Sequence, residues 1–258
     1  AEWLQKADIL ACEDTRMTRK LLTLTGLRTA ATFMPYHDHN GQNMRPKLLE
    51  ALQNSKIIAL VSDAGTPLVS DPGYKLVAAC HNAGISVTAI PGPSAVLAGL
   101  AAAGLPSDRF LFAGFVPNSQ KAAETAFRKF ANLDVTSIWF DSPRRLGASL
   151  QIMHELFGNR LAVVARELTK LHESYHRDTL ALLAEFYQQA APPKGESVIL
   201  VSGIAASDNT FDTAELTAML REEMQATSLR DAVQTVSQIS GQSRKIIYSL
   251  AIGLNRGN

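Results

Sequence analysis

A loop at 62–73, reading SDAGTPLVSDPG, brings acidic and hydroxyl side chains together with two prolines and two glycines. It follows the apolar run IIALV and precedes a helix-like segment, so it lies where a strand leads into a helix. In open α/β sheets, ligands bind beyond the carboxyl ends of strands, and Gly65 and Gly73 allow backbone conformations that a Cβ would obstruct. The pattern predicts a small-molecule site, although the tripeptide at 71–73 alone is typical of an ordinary turn and helix start.

A second turn rich in proline and glycine, PGPSA at 91–95, ends the next apolar run. Ser94 is placed to cap the helix that follows, and Gly92 lets a ligand approach the backbone. Neither turn has the dinucleotide pattern GxGxxG or the phosphate-binding pattern GxxxxGK[ST], which argues against nicotinamide and nucleoside triphosphates. The two turns together predict a site for another kind of cofactor.

Both turns belong to a series of short apolar runs that alternate with helical patterns. This alternation predicts a parallel sheet flanked by helices. The predicted elements are strands at 57–61 and 86–90 and helices at 74–82 and 94–103.

A polar break with a proline, LPSDR at 105–109, separates this series from a second α/β unit. Its predicted strands lie at 110–115, 137–140, 161–165 and 197–201, and its predicted helices at 121–132, 145–157 and 180–190. We therefore expect an N-terminal α/β domain at 1–108 and a C-terminal α/β domain at 109–204.

The remaining residues, 205–258, predict a small helical domain. After a polar linker at 205–212, helical periodicity occurs at 214–224, 229–239 and 243–254 with no strand signal. Gly241 and the basic turn 243–245 suit a helix-turn-helix whose last helix meets phosphate. A helical bundle that docks on a partner subunit explains the same pattern equally well.

The composition is that of an ordinary globular protein, with 46% hydrophobic and 19% charged residues in 258. The net charge of +1 gives no global attraction to nucleic acid, so a polyanion would need a local patch. Cys12 and Cys80 show no metal-binding or CxxC spacing, which fits a reducing compartment, and we expect a cytoplasmic protein. No apolar run approaches a membrane span, and the chain opens within a pattern, so we expect residues before Ala1.

In this order and spacing, SDAGTPLVSDPG and PGPSA resemble segments of the tetrapyrrole methylase superfamily. Further segments resemble its ribosomal RNA branch, which methylates a cytidine 2′-hydroxyl in 16S rRNA. These segments are EDTR at 13–16, YHDHN at 36–40, FDSPRR at 140–145, ARELTK at 165–170, Glu173 and KGE at 194–196. The resemblance spans nearly all of 1–203, and the tail resembles the family's small helical domain.

The resemblance implies a two-domain tetrapyrrole-methylase-like α/β fold that holds S-adenosylmethionine in a cleft between the domains. It also implies a homodimer that acts on the small ribosomal subunit. The cofactor-binding residues that it implies are Asp63, Ala64, Gly65, Thr66, Pro67, Ser70, Asp71, Pro72, Gly73, Pro91, Gly92, Ser94, Ala95, Phe140, Ala165, Glu167 and Leu168.

Three features depart from the family pattern. Asp141 stands where the family usually has glutamate, and Arg144 where it usually has histidine. The family's first strand, with its proline- and glycine-bearing loop, does not occur in 1–258. That segment lies beside the cofactor in the family, so we expect a protein without it to bind cofactor poorly and to be inactive.

Methyl transfer from a sulfonium needs chiefly alignment, because the leaving thioether is neutral. A ribose hydroxyl is a poor nucleophile, so a base or a nearby cation should assist it. Glu13 and Asp14 also fit a role in orienting Arg16, and Lys170 and Glu173 fit an ordinary surface pair. The candidate catalytic residues are Glu13, Asp14, His37, Lys170 and Glu173.

His37 and His39 flank an aspartate, but two histidines without a third placed ligand favour loop hydrogen bonds or RNA contacts over a metal, so no metal site is expected. Basic residues near the motifs are candidates for binding RNA phosphates, and no RNA-reading module with aromatic platforms is visible. The candidate RNA-binding residues are Arg16, Arg144, Arg145 and Arg166.

Two other functions fit parts of the sequence. One is C-methylation of a corrinoid or sirohaem precursor, but the enzymes that do this usually carry a GDP-type loop in place of SDAGTP. The other is a ribosome-binding module without activity, which the helical tail favours.

Overall fold

The computed structural model describes residues 1–204, 213–240 and 242–255, so the predicted linker at 205–212 and Gly241 lie outside the described residues. The backbone divides into two compact units. Unit 1 comprises Ala1–Ala102 and Glu167–Ser174, and unit 2 comprises Ala103–Arg166 and the chain from Tyr175 onward. The domain limits at 108 and 204 stay a prediction.

Unit 1 is built on a parallel sheet of three strands. Its elements are α1 (Glu2–Lys6), β1 (Ile9–Cys12), α2 (Thr15–Thr25), β2 (Thr32–Pro35), α3 (Gly41–Gln53), β3 (Ile58–Val61), α4 (Tyr74–Asn82) and α5 (Ala95–Ala103). The strand order is β2-β1-β3, and Cys12 lies opposite both Pro35 and Val61. The predicted parallel arrangement is confirmed, and the strands end together at one edge.

The central strand β1 is buried on both faces, as expected for a parallel strand covered by helices. Ile9 and Ala11 belong to the core cluster that contains Leu48 of α3 and Leu76 of α4. The alternate residues Leu10 and Cys12 belong to a second cluster with Leu22 of α2. Helices therefore cover both faces of the sheet and fix the ends of its strands.

The strand predicted at 86–90 is wrong, because these residues form no strand. Val87 is 42% exposed and Ile90 56% exposed. A strand needs a neighbour that completes its backbone hydrogen bonds. Among the described residues β3 pairs only with β1, and no strand lies beside 86–90. The segment SVTAI therefore has the alternating apolar pattern of a strand but no hydrogen-bonded neighbouring strand within the described chain.

Unit 2 contains a mixed sheet of five strands. Its elements are β4 (Phe110–Phe115), α6 (Gln120–Arg128), β5 (Thr136–Asp141), a 3-10 helix (Pro143–Arg145), α7 (Leu146–Phe157), β6 (Leu161–Arg166), β7 (Ser174–Thr179), α8 (Leu180–Gln189) and β8 (Ser197–Val201). The strand order is β4-β5-β8-β6-β7. Strands β4 and β5 are parallel, whereas β8 is antiparallel to both β5 and β6.

The core of this sheet is aromatic at its centre. Trp139 packs edge-on against Phe127 and Phe130, with ring centroids 4.9 and 5.1 Å apart. Leu150 of α7 and Leu183 of α8 belong to the same buried cluster. Helices α6, α7 and α8 thus cover one face of the sheet. Helix α6 ends at Arg128, earlier than predicted, and the chain continues in single turns.

The last described part of the chain forms three helices, as predicted: α9 (Thr213–Ala226), α10 (Leu229–Ser240) and α11 (Arg244–Asn255). Leu220, Val236, Ile247 and Ala251 form their common core. No helix in the described ranges is long and apolar enough to cross a bilayer.

Candidate active site

The carboxyl edge of the unit 1 sheet joins two segments that lie fifty residues apart in the sequence. Because β1 and β3 are parallel neighbours in register, Glu13 and Asp63 follow the same edge. The Asp14 amide donates to the Asp63 carboxylate at 3.2 Å, and the Asp63 amide donates to the Glu13 carboxylate at 3.4 Å. These reciprocal bonds place EDTR beside SDAGTP.

Asp71 adds a third carboxylate to this edge. Burial raises the pKa of Asp71, the negative charges of Glu13 and Asp63 raise it further, and a hydrogen bond with Ser62 opposes them. Like charges that perturb one another must lie close together. The edge therefore carries negative charge, and it suits a ligand that carries positive charge.

The two predicted turns are in contact. The Thr66 hydroxyl donates to the Pro93 carbonyl at 2.9 Å, and the Ser94 hydroxyl accepts from the Leu97 amide at 3.4 Å at the start of α5. A Cβ built on Gly65 or Gly92 would meet no atom closer than 3.9 Å. Both glycines therefore leave open space beside exposed backbone.

Backbone strain concentrates in two segments of unit 1. Leu68 and Ser70 have φ of 73° and 64°, and Glu167 and Thr169 have φ of 48° and 64°. In the part of the chain that the structure describes, Ser55 is the one other non-glycine residue with positive φ. Such strain is costly and clusters at ligand sites, which favours a functional role for both segments.

The segment 167–174 is folded on itself. The Lys170 ammonium pairs with the Glu167 carboxylate at 3.0 Å, and the Thr169 amide donates to the Glu173 carboxylate at 2.5 Å. Lys170 therefore has an ion-pair partner within this segment, Glu167. These contacts set the direction of three side chains that the sequence singled out.

Asp14 is the N-cap of α2. Its carboxylate accepts from the Arg16 backbone amide at 2.8 Å and from the Arg16 guanidinium at 2.7 Å. These bonds lower the pKa of Asp14 to about 2, which makes it a weak base near neutral pH. Arg16 remains 87% exposed beyond this pair and stays available to a polyanion.

His37 follows β2 at the same sheet edge. Its backbone amide donates to the Asn40 side chain at 2.9 Å, while its ring lies 6.0 Å from that of His39. The His37 Nδ1 atom is buried and has no hydrogen-bond partner among the described residues. Those residues also contain no group of three or more His, Cys, Asp or Glu arranged to hold a metal ion.

Two neighbouring arginines of unit 2, Arg144 and Arg145, differ in exposure. The Arg145 guanidinium donates to Asp141 at 2.6 Å, to the Val116 carbonyl at 3.0 Å and to Asn118 at 2.9 Å. Arg145 thereby ties the loop after β4 to the end of β5, whereas Arg144 is exposed. An RNA contact by Arg145 stays a prediction. These contacts show Arg145 in a structural role, joining the loop after β4 to the end of β5.

The other predicted residues of unit 2 lie on or beside the sheet. The Phe140 ring contacts Phe112 and Phe115, with centroids 4.8 and 5.3 Å away. Ala165 is fully buried in β6, where it lies opposite Val198 of β8. Arg166 donates to the Lys194 carbonyl at 3.2 Å, which joins two of the motifs.

Sequence reasoning missed three contributors to this site. Ser62 hydrogen-bonds Asp71, the Pro93 carbonyl anchors Thr66, and Leu68 takes a left-handed conformation. Ser62 and Pro93 lie inside the quoted motifs and were within reach of the pattern. The conformation of Leu68 had no signal, because leucine rarely adopts it.

The family model of tetrapyrrole (corrin/porphyrin) methylases matches residues 1–184. The chain belongs to the tetrapyrrole methylase family. This methylase is 46% identical over 249 residues to "Ribosomal RNA small subunit methyltransferase I" of Mesorhizobium japonicum, covering 96% of the chain and 83% of that protein. It is 40% identical to the protein of the same name from Escherichia coli O157:H7, covering 97% and 87%. These identities confirm the resemblance to the ribosomal RNA branch.

Solved structures show the same fold at lower identity. The methyltransferase CobJ aligns with a TM-score of 0.56 and 22% identity, covering 79% of this methylase and 86% of that chain. Cobalt precorrin-4 methyltransferase aligns with a TM-score of 0.55 and 17% identity, covering 78% and 86%. The predicted fold class is confirmed.

Proposed function

We propose that this methylase transfers a methyl group from S-adenosylmethionine to the 2′-hydroxyl of a cytidine in 16S rRNA. The observation that carries the proposal is the junction of EDTR, SDAGTPLVSDPG and PGPSA at one sheet edge, in a chain similar to proteins named ribosomal RNA small subunit methyltransferase I. The proposal includes a cytoplasmic homodimer that acts on the small ribosomal subunit.

The residues present fit the cofactor. S-adenosylmethionine carries a sulfonium and an ammonium, and the edge supplies the carboxylates of Glu13, Asp63 and Asp71. The open space at Gly65 and Gly92 admits a ligand against the backbone. When bound, the cofactor supplies a methyl group on a sulfonium, whose leaving thioether is neutral. In the proposal these five residues hold and orient it.

Activation of the ribose hydroxyl requires a base or a cation beside it. Asp14 acts as a helix cap, and its low pKa makes it a weak base. In our proposal Glu13 or His37 accepts the proton at the sheet edge, or Lys170 stabilises the developing negative charge. Glu173 positions the strained segment through its bond to the Thr169 amide.

Contacts to the RNA backbone are proposed for the exposed arginines. Arg16 and Arg144 present their guanidinium groups to solvent in units 1 and 2. Each is suited to bind a phosphate in two-point geometry. Arg145 and Arg166 hold loops of unit 2 in the conformation that this contact needs.

Calorimetric titration of the full-length protein with S-adenosylmethionine tests the enzyme proposal. We expect saturable binding at one site per chain, and competition by the demethylated product. No detectable binding would contradict the proposal and favour a ribosome-binding module without activity.

A further inference from the structure

Helices α10 and α11 border a groove of about 320 Å³ that the site described above does not include. The groove borders the shared core of the three helices, since Val233 belongs both to that core and to the groove lining. The residues that line the groove are Arg230, Val233, Gln234, Arg244, Lys245 and Tyr248.

The groove is strongly positive although the three helices are neutral in sum. Three of the four cations at 213–255 line it, and three of the four carboxylates there belong to α9. The remaining carboxylate, Asp231, accepts from the Ser228 hydroxyl at 2.7 Å at the start of α10. Arg230, Arg244 and Lys245 are exposed and form no ion pair with any described residue. Their charge is therefore available to a ligand.

An aromatic ring stands among these cations. Tyr248 lies one turn after Arg244 on α11 and is 49% exposed. An exposed aromatic ring in a basic groove is the arrangement on which unpaired nucleobases stack while their phosphates meet lysine and arginine. An acidic peptide would use the cations but would gain little from the ring.

Hydrogen bonds connect Gln242, just before α11, to the last turn of α10. The Ser237 hydroxyl donates to the Gln242 carbonyl at 2.7 Å, and the Gln242 amide donates to the Ser240 hydroxyl at 3.3 Å. These bonds fix the start of α11 relative to the end of α10. The cations therefore sit on two rigid helices and are preorganised for a ligand.

We infer that this groove binds single-stranded RNA, with Arg230, Arg244 and Lys245 on successive phosphates and Tyr248 under a base. The identity of the polyanion rests on the proposed function. The groove supplies affinity for the substrate and takes no part in methyl transfer or cofactor binding.

The test is fluorescence anisotropy of the full-length protein with a labelled single-stranded RNA of about 16 nucleotides at several salt concentrations. For the triple variant R230Q/R244Q/K245Q we expect affinity to fall about tenfold or more near physiological salt. The slope of log K against log salt should decrease by about 2, because each lost phosphate contact on a single strand contributes about 0.7. Tyr248→Leu should also weaken binding, and Tyr248→Phe should preserve it.

The matched control removes three exposed cations elsewhere, as K121Q/K129Q/R221Q, and should keep both affinity and slope. Equal loss in the control, wild-type behaviour of the groove variant, or preferential binding of polyglutamate would overturn the inference. Circular dichroism and calorimetry with S-adenosylmethionine show whether each variant is folded. A wild-type protein that binds RNA through the groove but transfers no methyl group refutes the proposed function alone.

Discussion

Three carboxylates that are distant in the sequence share one edge of the unit 1 sheet. Glu13 and Asp63 exchange hydrogen bonds with neighbouring amides, and both raise the pKa of Asp71. The parallel register of β1 and β3 brings Glu13 and Asp63 together, and the hydrogen bond with Ser62 adds Asp71. At the residue scale, the site therefore depends on backbone geometry more than on any single side chain.

Substitutions at Asp63 and at Arg144 should affect cofactor binding and RNA binding separately. Asp63→Ala should weaken S-adenosylmethionine binding about tenfold or more, since it removes a charged hydrogen-bond acceptor worth about 1.5–3 kcal/mol. Arg144→Ala should leave cofactor affinity unchanged and raise the KM for RNA, because Arg144 is exposed and is not among the predicted cofactor-binding residues. Calorimetry and steady-state methylation measure the two effects, and equal loss of cofactor affinity in both variants would argue against the assignment.

Asp141 should give unit 2 a characteristic pH dependence. Burial raises the pKa of Asp141, against the opposing effects of Ser149 and Arg145, so the folded protein binds this proton more tightly than the unfolded chain. The stability that Asp141 contributes is then complete below about pH 4, the unfolded value, and is lost as the pH rises through the folded pKa. In urea unfolding, the free energy of unfolding of the wild type should decrease relative to that of Asp141→Asn from about pH 4 upward. A stability difference that does not change with pH would count against this account.

At the scale of elements, close approach of helices α7 and α8 requires a glycine. A Cβ on Gly147 would lie 2.9 Å from the Tyr187 carbonyl oxygen and 3.0 Å from the Gln188 amide nitrogen, both on the backbone of α8. Gly147→Ala should destabilise unit 2 by about 1–3 kcal/mol, although alanine is the better helix former.

Gly253 of α11 provides the matched control, because a Cβ there would meet nothing within 4 Å. Gly253→Ala should stabilise the three helices by up to about 1 kcal/mol. Thermal and urea unfolding distinguish the two variants. Stabilisation by Gly147→Ala would show that α7 and α8 do not pack as described.

The elements also show what a sequence pattern can predict. The runs that form β3, β4, β5, β6 and β8 are predictable from the sequence because they are apolar and bounded by turn residues. Strand β7, reading SYHRDT, is polar and half exposed, so hydrophobicity alone gives no signal for it. The segment 86–90 has the pattern of a strand, but pairing with a neighbour decides whether a strand forms.

The candidate site was predictable to the extent that it consists of contiguous motifs. The contact of PGPSA with SDAGTP is made by the hydrogen bond from Thr66 to the Pro93 carbonyl, although residues 86–90 before PGPSA form no strand. The engagement of Arg145 with Asp141 and the pairing of Lys170 with Glu167 depend on side-chain directions that spacing does not determine. The sequence therefore predicts one role, RNA binding, for both Arg144 and Arg145, whereas in the structure Arg144 is exposed and Arg145 is bonded to Asp141.

At the scale of the whole molecule, the net charge of +1 conceals local segregation. The sheet edge of unit 1 is acidic, whereas the groove between α10 and α11 is basic. A cationic cofactor and a polyanionic substrate suit these two surfaces respectively. The summed composition argues against a broadly basic RNA-binding protein. The sequence indicates the basic turn at 243–245, and the structure adds Arg230 and Tyr248 beside it.

The central claim concerns the acceptor, and identification of the methylated product tests it most directly. The full-length protein is incubated with methyl-labelled S-adenosylmethionine and unmodified small ribosomal subunits, and the RNA is digested to nucleosides for mass spectrometry. The account predicts that the label appears as 2′-O-methylcytidine from 16S rRNA, and that Asp63→Ala reduces its yield. Label on a tetrapyrrole offered in parallel, label on a nucleobase, or no transfer to the subunits would contradict it.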